Sequence, residues 1–303
     1  MGAIVLWAWQ SRPAALAAHW HGLLVPGVLL SLLSLLAYAA RFRRVMRMLD
    51  LPFTFIDGLR IVSFAVFCQF FVPLGAGAEL SKYLKLRGLA PERRALVSAA
   101  GIVLEHLLGL VALLMIAGVL FALMRPFAID VSITMMVGCA LMVVVLAASV
   151  LLRRQGRIGL GARQVLARLG AHKRDAALVL AWSLLMHVLL AAAVHVGSLG
   201  WHIGISYWQI LFVLAAASVL QAVPATLVGV GLADVAGAGL YVALGLPLAE
   251  ALLLVSLLYC YRLLVAVLGG LWELDKARRL WRDAESKVRM NSHLQTSEDT
   301  DLP

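Results

Sequence analysis

Apolar runs of about twenty residues or more recur along the chain at 21–40, 95–124, 128–152, 176–199 and 248–272, separated by short polar links. A helix needs about 20 apolar residues to cross a hydrocarbon core of about 30 Å, so each run predicts a transmembrane span. Two further apolar stretches, 55–88 and 205–246, carry proline and glycine breakers near their middles. Each is 34 residues or longer, too long for one span and about right for two half-helices joined by a reversal. The competing reading is a single span kinked at proline, which neighbouring helices tolerate in membranes.

Lysine and arginine choose between these readings, because short cytoplasmic loops carry the basic excess. Arg41, Arg43, Arg44 and Arg47 follow the first span, and Lys82, Lys85, Arg87, Arg93 and Arg94 precede the second, so both ends of 55–88 are predicted cytoplasmic. The turn at Arg125-Pro126 then falls outside, and the link Arg153–Arg174, with seven Lys or Arg, falls inside. Neither Gly200–Tyr207 nor Gly245–Glu250 holds a Lys or Arg, which predicts both ends of 205–246 outside. Lys276, Arg278, Arg279 and Arg282 mark the last crossing as inward. All the clusters agree only if the two broken stretches are re-entrant hairpins dipping from opposite faces.

The predicted fold is therefore an all-α integral membrane protein, a polytopic helical bundle with two inverted span–hairpin–span repeats. Residues 1–20 form an N-terminal segment, expected to be a missing or shortened first span. The membrane domain covers 21–275: repeat 1 at 21–124, a connector span at 128–152, a cytoplasmic amphipathic loop at 153–175 and repeat 2 at 176–272. Residues 276–303 form a cytoplasmic tail, polar and expected to be disordered from Asn291. Inverted repeats of this kind place a substrate site near the midplane, where broken helices meet.

Composition sharpens the class. The 303 residues are 63% hydrophobic and 14% charged, and the mean hydropathy is +0.94, well beyond a soluble domain. The net charge of +10 sits in short loops without interleaved aromatics, which argues against nucleic acid as a partner. Cys68, Cys139 and Cys260 lie inside apolar runs at spacings that fit neither a metal site nor a disulfide framework. No metal or other cofactor is expected.

The breakers follow one order twice. The first runs Gln69, Pro73, Gly75, Gly77, Glu79, with Lys82 after it; the second runs Gln221, Pro224, Gly229, Gly231, Asp234. Proline ends an incoming half-helix, and the glycines allow the reversal and a close approach of backbone to a ligand. The N-terminus of each outgoing half-helix can then hold an anion such as a lipid phosphate. Glu79 and Asp234 equally suit a first helical turn as acids that complement the dipole. Glu105, beside His106, and Arg262 are ionisable groups within spans, and such groups require a partner or a wet cavity. Glu105 follows Glu79 by 26 positions and Arg262 follows Asp234 by 28, so a Glu105–Arg262 pair, gating or structural, is expected near a pseudo-twofold axis. His187 and His195 are expected to face neighbouring helices. No catalytic motif is recognisable.

The segments Arg41-Phe42-Arg43-Arg44, Gln69 through Glu79 and Lys82, Leu104-Glu105-His106-Leu107-Leu108-Gly109, Pro224 through Asp234, and Tyr261-Arg262-Leu263-Leu264 resemble the lysylphosphatidylglycerol synthase/flippase transmembrane-domain family. The likeness covers about residues 21–275. His106 stands where the family often has Arg, Asp234 where Glu is usual, and the soluble aminoacyltransferase domain is absent. The resemblance implies lipid handling in a bacterial cytoplasmic (inner) membrane, multi-pass, with the C-terminus cytoplasmic. The expected function is a flippase-like transporter that moves an anionic phospholipid or polyprenyl-phosphate-linked glycolipid between leaflets. The headgroup would be held by Gly75, Gly77, Glu79, Lys82, Gly229, Gly231, Asp234 and Arg262. The alternative is a membrane-embedded enzyme or an accessory subunit for transfer of sugar or aminoacyl groups to lipid, docked to a lipid-modifying transferase.

Overall fold

The computed structural model describes residues 20–51, 54–71, 77–89, 95–124, 170–219, 226–227 and 230–298. Eight helices lie within them: α1 (Trp20–Met48), α2 (Phe55–Phe71), α3 (Gly77–Leu89), α4 (Ala95–Met124), α5 (Lys173–Gly200), α6 (Tyr207–Val219), α7 (Leu232–Ala243) and α8 (Leu248–Glu298). The connector span 128–152, most of the amphipathic loop, and Pro73, Gly75, Pro224 and Gly229 lie outside the described residues.

Four helices are long and apolar enough to cross a membrane: Val25–Met48, Val97–Met124, Lys173–Gly200 and Leu248–Leu274. They match four of the spans expected from the hydrophobic runs. The helices within the two broken stretches are short. α2 has 17 residues, α3 and α6 have 13, and α7 has 12, or roughly 18–25 Å of helix at 1.5 Å per residue, less than a hydrocarbon core. α2 and α6 begin with the same device. Thr54 Oγ1 accepts from the Asp57 amide at 3.2 Å while Asp57 Oδ2 accepts from the Thr54 amide at 3.1 Å. Ser206 and Gln209 repeat this capping box at 3.3 and 3.0 Å. Between α6 and α7 the chain departs from helix in a small antiparallel pair, β1 (Thr226–Leu227) with β2 (Val230–Gly231), in register Thr226 to Gly231.

Packing follows a rule of exchange. α1 runs along α5; α2 packs on α8, α3 and α1; α6 packs on α4, α7 and α5; α3 lies on α4 as α7 lies on α8. The looser contacts α4–α5 and α8–α1, and α1–α4 and α5–α8, pair off in the same way. Exchanging the first four helices with the last four returns α1–α5 to itself and maps each of the other pairs onto another of them. At one end of the bundle Glu273 of α8 receives both Arg60, near the start of α2, at 3.0 Å, and Lys85, near the end of α3. Because this carboxylate ties three helices, Glu273→Gln should lower thermal stability by about 1–2 kcal/mol, the scale of charge-assisted hydrogen bonds; a melting curve in detergent checks it. A second pair at this end, Arg44 to Asp175 at 2.7 Å, joins the close of α1 to the opening of α5.

One expectation is corrected. The tail from Asn291 is not irregular, since α8 continues to Glu298. No Gly or Pro occurs between Leu271 and Glu298, so the helix nucleated in the bundle propagates without a stop signal.

Two apolar clusters make the core. One gathers Phe42, Val45, Met46, Ile61, Val62, Leu86, Leu104 and Val179. The other gathers Leu113, Ile116, Val194, Ile210, Phe212, Tyr241, Leu254 and Tyr261. A layer of buried polar side chains on α1, α4 and α5 comprises Ser34, Arg41, Glu105, Ser183 and His187, and its charged part is set into the first cluster, with Leu104 and Leu108 flanking Glu105 and Phe42 following Arg41.

Candidate functional site: a buried charge layer

Glu105 is the centre of that layer. It is 0% exposed, as is Lys82, and Arg41 is 6% exposed, so none of the three can be solvated by water. Instead they solvate one another. The Arg41 guanidinium donates to Glu105 Oε1, and the Lys82 ammonium donates to Glu105 Oε2 at 2.9 Å. Lys82 also donates to the Tyr38 hydroxyl at 3.2 Å and lies 3.0 Å from Glu79 Oε2, a contact without the alignment of a hydrogen bond. The Arg41 guanidinium stacks over the Tyr38 ring at 4.9 Å. His106 reaches Glu79 only loosely, at 3.7 Å, and is mostly exposed.

Local sequence explains how these groups meet. Ser31, Ser34, Tyr38 and Arg41 recur at three- and four-residue spacing, so they share one face of α1. Gly109 lies one turn beyond Glu105 on α4, and a Cβ there would sit 3.1 Å from an Arg41 nitrogen. The glycine leaves the guanidinium room to lie on the helix and reach the carboxylate. Lys82 sits one turn after Glu79 in α3, whose packing on α4 brings its ammonium to Glu105.

The layer continues through α5 and α8. His187 is buried, 8% exposed, and lies within electrostatic reach of both Arg41 and Arg262. Tyr261 precedes Arg262, is 1% exposed, and its hydroxyl lies in space left by Gly27 of α1 and Gly197 of α5. Ser34 Oγ ties α1 to α5 by donating to the Met186 carbonyl at 3.0 Å.

Several sequence expectations are brought together here and others are not. Glu79, Lys82 and Glu105 meet as one cluster, and Gly77 opens α3 two residues before Glu79. Arg262 is half-buried at the edge of the layer. The expected Glu105–Arg262 pair is not formed among the described residues, because Arg41 and Lys82 already occupy both oxygens of Glu105. Gly231 lies in β2, and Asp234 lines a small cavity with Ser218, Gly237 and Tyr241 to which none of Glu79, Lys82 and Glu105 contributes. Arg41 was the residue sequence reasoning missed: its place among the topology-setting arginines hid it, whereas its register with Ser34 and Tyr38 would have revealed it. His187 was passed over as a packing residue for want of a metal-ligand partner.

A family model described as the lysylphosphatidylglycerol synthase TM region matches residues 1–270. No curated protein and no solved structure matches the chain.

Proposed function

The chain belongs to the lysylphosphatidylglycerol synthase transmembrane-region family, and from that premise we propose that it is a flippase-like transporter. Its cargo would be an anionic lipid, a phospholipid or a polyprenyl-phosphate-linked glycolipid, moved between leaflets. The family and the apolar helices make it a multi-pass membrane protein related to lipid handling; movement of the headgroup is the step added here.

The observation that carries this reading is the buried charge cluster set into an apolar core, where Arg41 and Lys82 converge on one carboxylate, with Arg262 within electrostatic reach of the neighbouring His187. Charges at such depth are costly, at least about 2.5–3.5 kcal/mol each on the permissive scale, and are retained where a pathway needs them. Arg41 and Lys82 face Glu105, with Glu79 beside Lys82, and Arg262 at the edge leaves one positive charge in excess, capacity for a further anion. With the site empty, Glu105 holds the two cations in place; an arriving phosphate oxygen would compete for the same donors, as arginine and lysine favour. The acyl or prenyl chains would remain in lipid.

Inverted repeats support this path. The reading as inverted repeats rests on an exchange of the two halves that preserves the helix packing, on a capping box at the start of each broken stretch, and on a distribution of basic residues that favours opposite faces for the two stretches. Read as re-entrant hairpins, α2–α3 and α6–α7 would open toward the two leaflets in turn, with the C-terminus of α8 cytoplasmic in a bacterial inner membrane.

The test is movement of labelled headgroups in proteoliposomes of defined composition. Lys82→Met and Arg262→Ala should each slow flipping about tenfold, the equivalent of one charge-assisted hydrogen bond. Unchanged flipping after Arg262→Ala, or none by the intact protein with either lipid class, overturns the proposal. A lipid product of altered mass would instead identify a membrane-embedded transferase.

A further inference from the structure

A carboxylate held between an arginine and a lysine occurs twice among the described residues. Glu105 receives Arg41 and Lys82, and Glu273 of α8 receives Arg60 of α2, at 3.0 Å, and Lys85 of α3. Lys82 and Lys85 are one turn apart on α3, a rise of about 4.5 Å, so one short helix serves both carboxylates. The two settings differ in access. Lys82 and Glu105 are closed off, whereas the side chains of Arg60, Lys85 and Glu273 are 20%, 23% and 19% exposed.

The more open cluster borders an apolar face. Leu264, Val267, Leu268 and Leu271 recur at three- and four-residue spacing along α8 and are exposed; within a span such a face meets acyl chains. Trp272 lies between this face and Glu273, and the Arg60 guanidinium sits over its ring, 5.8 Å from the centroid. Lys85 lies over the Phe64 ring at 4.3 Å. Tryptophan prefers headgroup depth, and Lys276, Arg278 and Arg279 follow at once in the sequence, so the cluster stands where the apolar span gives way to a basic end. Arg60 donates to Glu273 from one Nη, and its Nε–H has no hydrogen-bond partner among the described residues. A guanidinium with donors to spare beside an ammonium suits the oxygens of a phosphate. A lipid whose chain runs along the α8 face brings its phosphate to this place.

We propose that Arg60, Lys85 and Trp272 form an interfacial binding site for the phosphate of an anionic phospholipid, separate from the buried cluster at Glu105. Glu273 is its placeholder: it neutralises both cations when no lipid is bound and yields them to the phosphate. The site stands on this geometry; the consequence that it loads lipid toward Lys82, one turn further along α3, rests on the transport reading.

The experiment titrates phosphatidylglycerol into the detergent-solubilised full chain and reads Tm, with phosphatidylcholine and inorganic phosphate as parallel arms. A ligand that binds the folded state raises Tm by mass action, and a saturable rise of about 2–4 °C is expected with phosphatidylglycerol, a smaller one with phosphatidylcholine and none with inorganic phosphate. Lys82→Met, which disables the buried cluster, should keep the response. In that background and in the parent alike, Arg60→Gln and Lys85→Gln should each weaken half-saturation about tenfold, the equivalent of one charge-assisted hydrogen bond. Glu273→Gln should melt lower without lipid yet bind phosphatidylglycerol about tenfold more tightly, because the competing anion is gone; a purely structural tie gives no such gain. Arg44→Gln, which removes a cation paired with Asp175 at the same end, is the control for general charge and should leave the midpoint unchanged. Unchanged or weaker lipid binding by Glu273→Gln, parental binding by Arg60→Gln and Lys85→Gln, an equal loss in Arg44→Gln, or an equal rise with inorganic phosphate overturns the proposal. The readout involves no lipid movement, so a failed flipping assay and a failed interfacial site are told apart.

Discussion

Glu105→Gln should be the most damaging single polar substitution, lowering stability by about 3–5 kcal/mol, the range seen when one partner of a buried ion pair is removed. The amide keeps the shape but not the charge, so Arg41 and Lys82 would face each other across the same site without a counterion. Both are buried, and neither can turn to water. A melting curve should show Tm lower by about 10 °C. The companion Glu105→Gln with Lys82→Met removes one of the two stranded cations and should recover part of the loss, as a double-mutant cycle reads directly. Unchanged melting of Glu105→Gln would mean that the cluster is hydrated in the protein and that its role in the proposed site must be rebuilt.

Gly269→Leu should cost about 3 kcal/mol, the upper part of the range for overpacking, for a reason unrelated to charge. α8 presents Gly269 and Gly270 to α2, and a Cβ at Gly269 would collide with the Ser63 carbonyl, which is backbone and cannot rotate away. At Gly270 the added atom would meet the Phe67 ring, a side chain with some freedom. Small residues permit this close approach of membrane helices, and the approach supplies the packing that replaces a hydrophobic driving force in lipid. Gly269→Ala should already destabilise, although alanine is the better helix former by up to about 1 kcal/mol. Gly118→Ala on α4, where nothing lies within 4 Å, is the control and should be neutral or slightly stabilising. If the two alanine variants melt alike, the α2–α8 contact is looser than described. Separation of α2 from α8 should also loosen the Arg60–Glu273 tie and with it the contact of Glu273 with Lys85 of α3.

Much of the fold was written in one-dimensional patterns. Run length, with the rule that lipid cannot satisfy an open backbone, identified the four described spans. Breaker spacing located the short helices α2, α3, α6 and α7, and the repeated acid after each Gly-x-Gly marked the openings of α3 and α7. The two capping boxes, Thr54 with Asp57 and Ser206 with Gln209, were equally open to reading from spacing. The helical course of the tail was misjudged because polarity was taken as disorder, while the absence of glycine and proline after Leu271 argued for continuation.

By itself, then, the sequence determined that the chain lives in a membrane, where its four described spans lie, and which ionisable residues lie too deep to be without partners. Those properties depend on solvation and local geometry, which act residue by residue. Only the tertiary structure decided who the partners are. Glu105 was assigned to Arg262 by analogy of position, yet it is bound by Arg41 and Lys82, because α1, α3 and α4 converge on it while α8 keeps Arg262 near His187. An ion pair in lipid is set by distance across helices, and a side chain five or six ångströms long can answer to several of them.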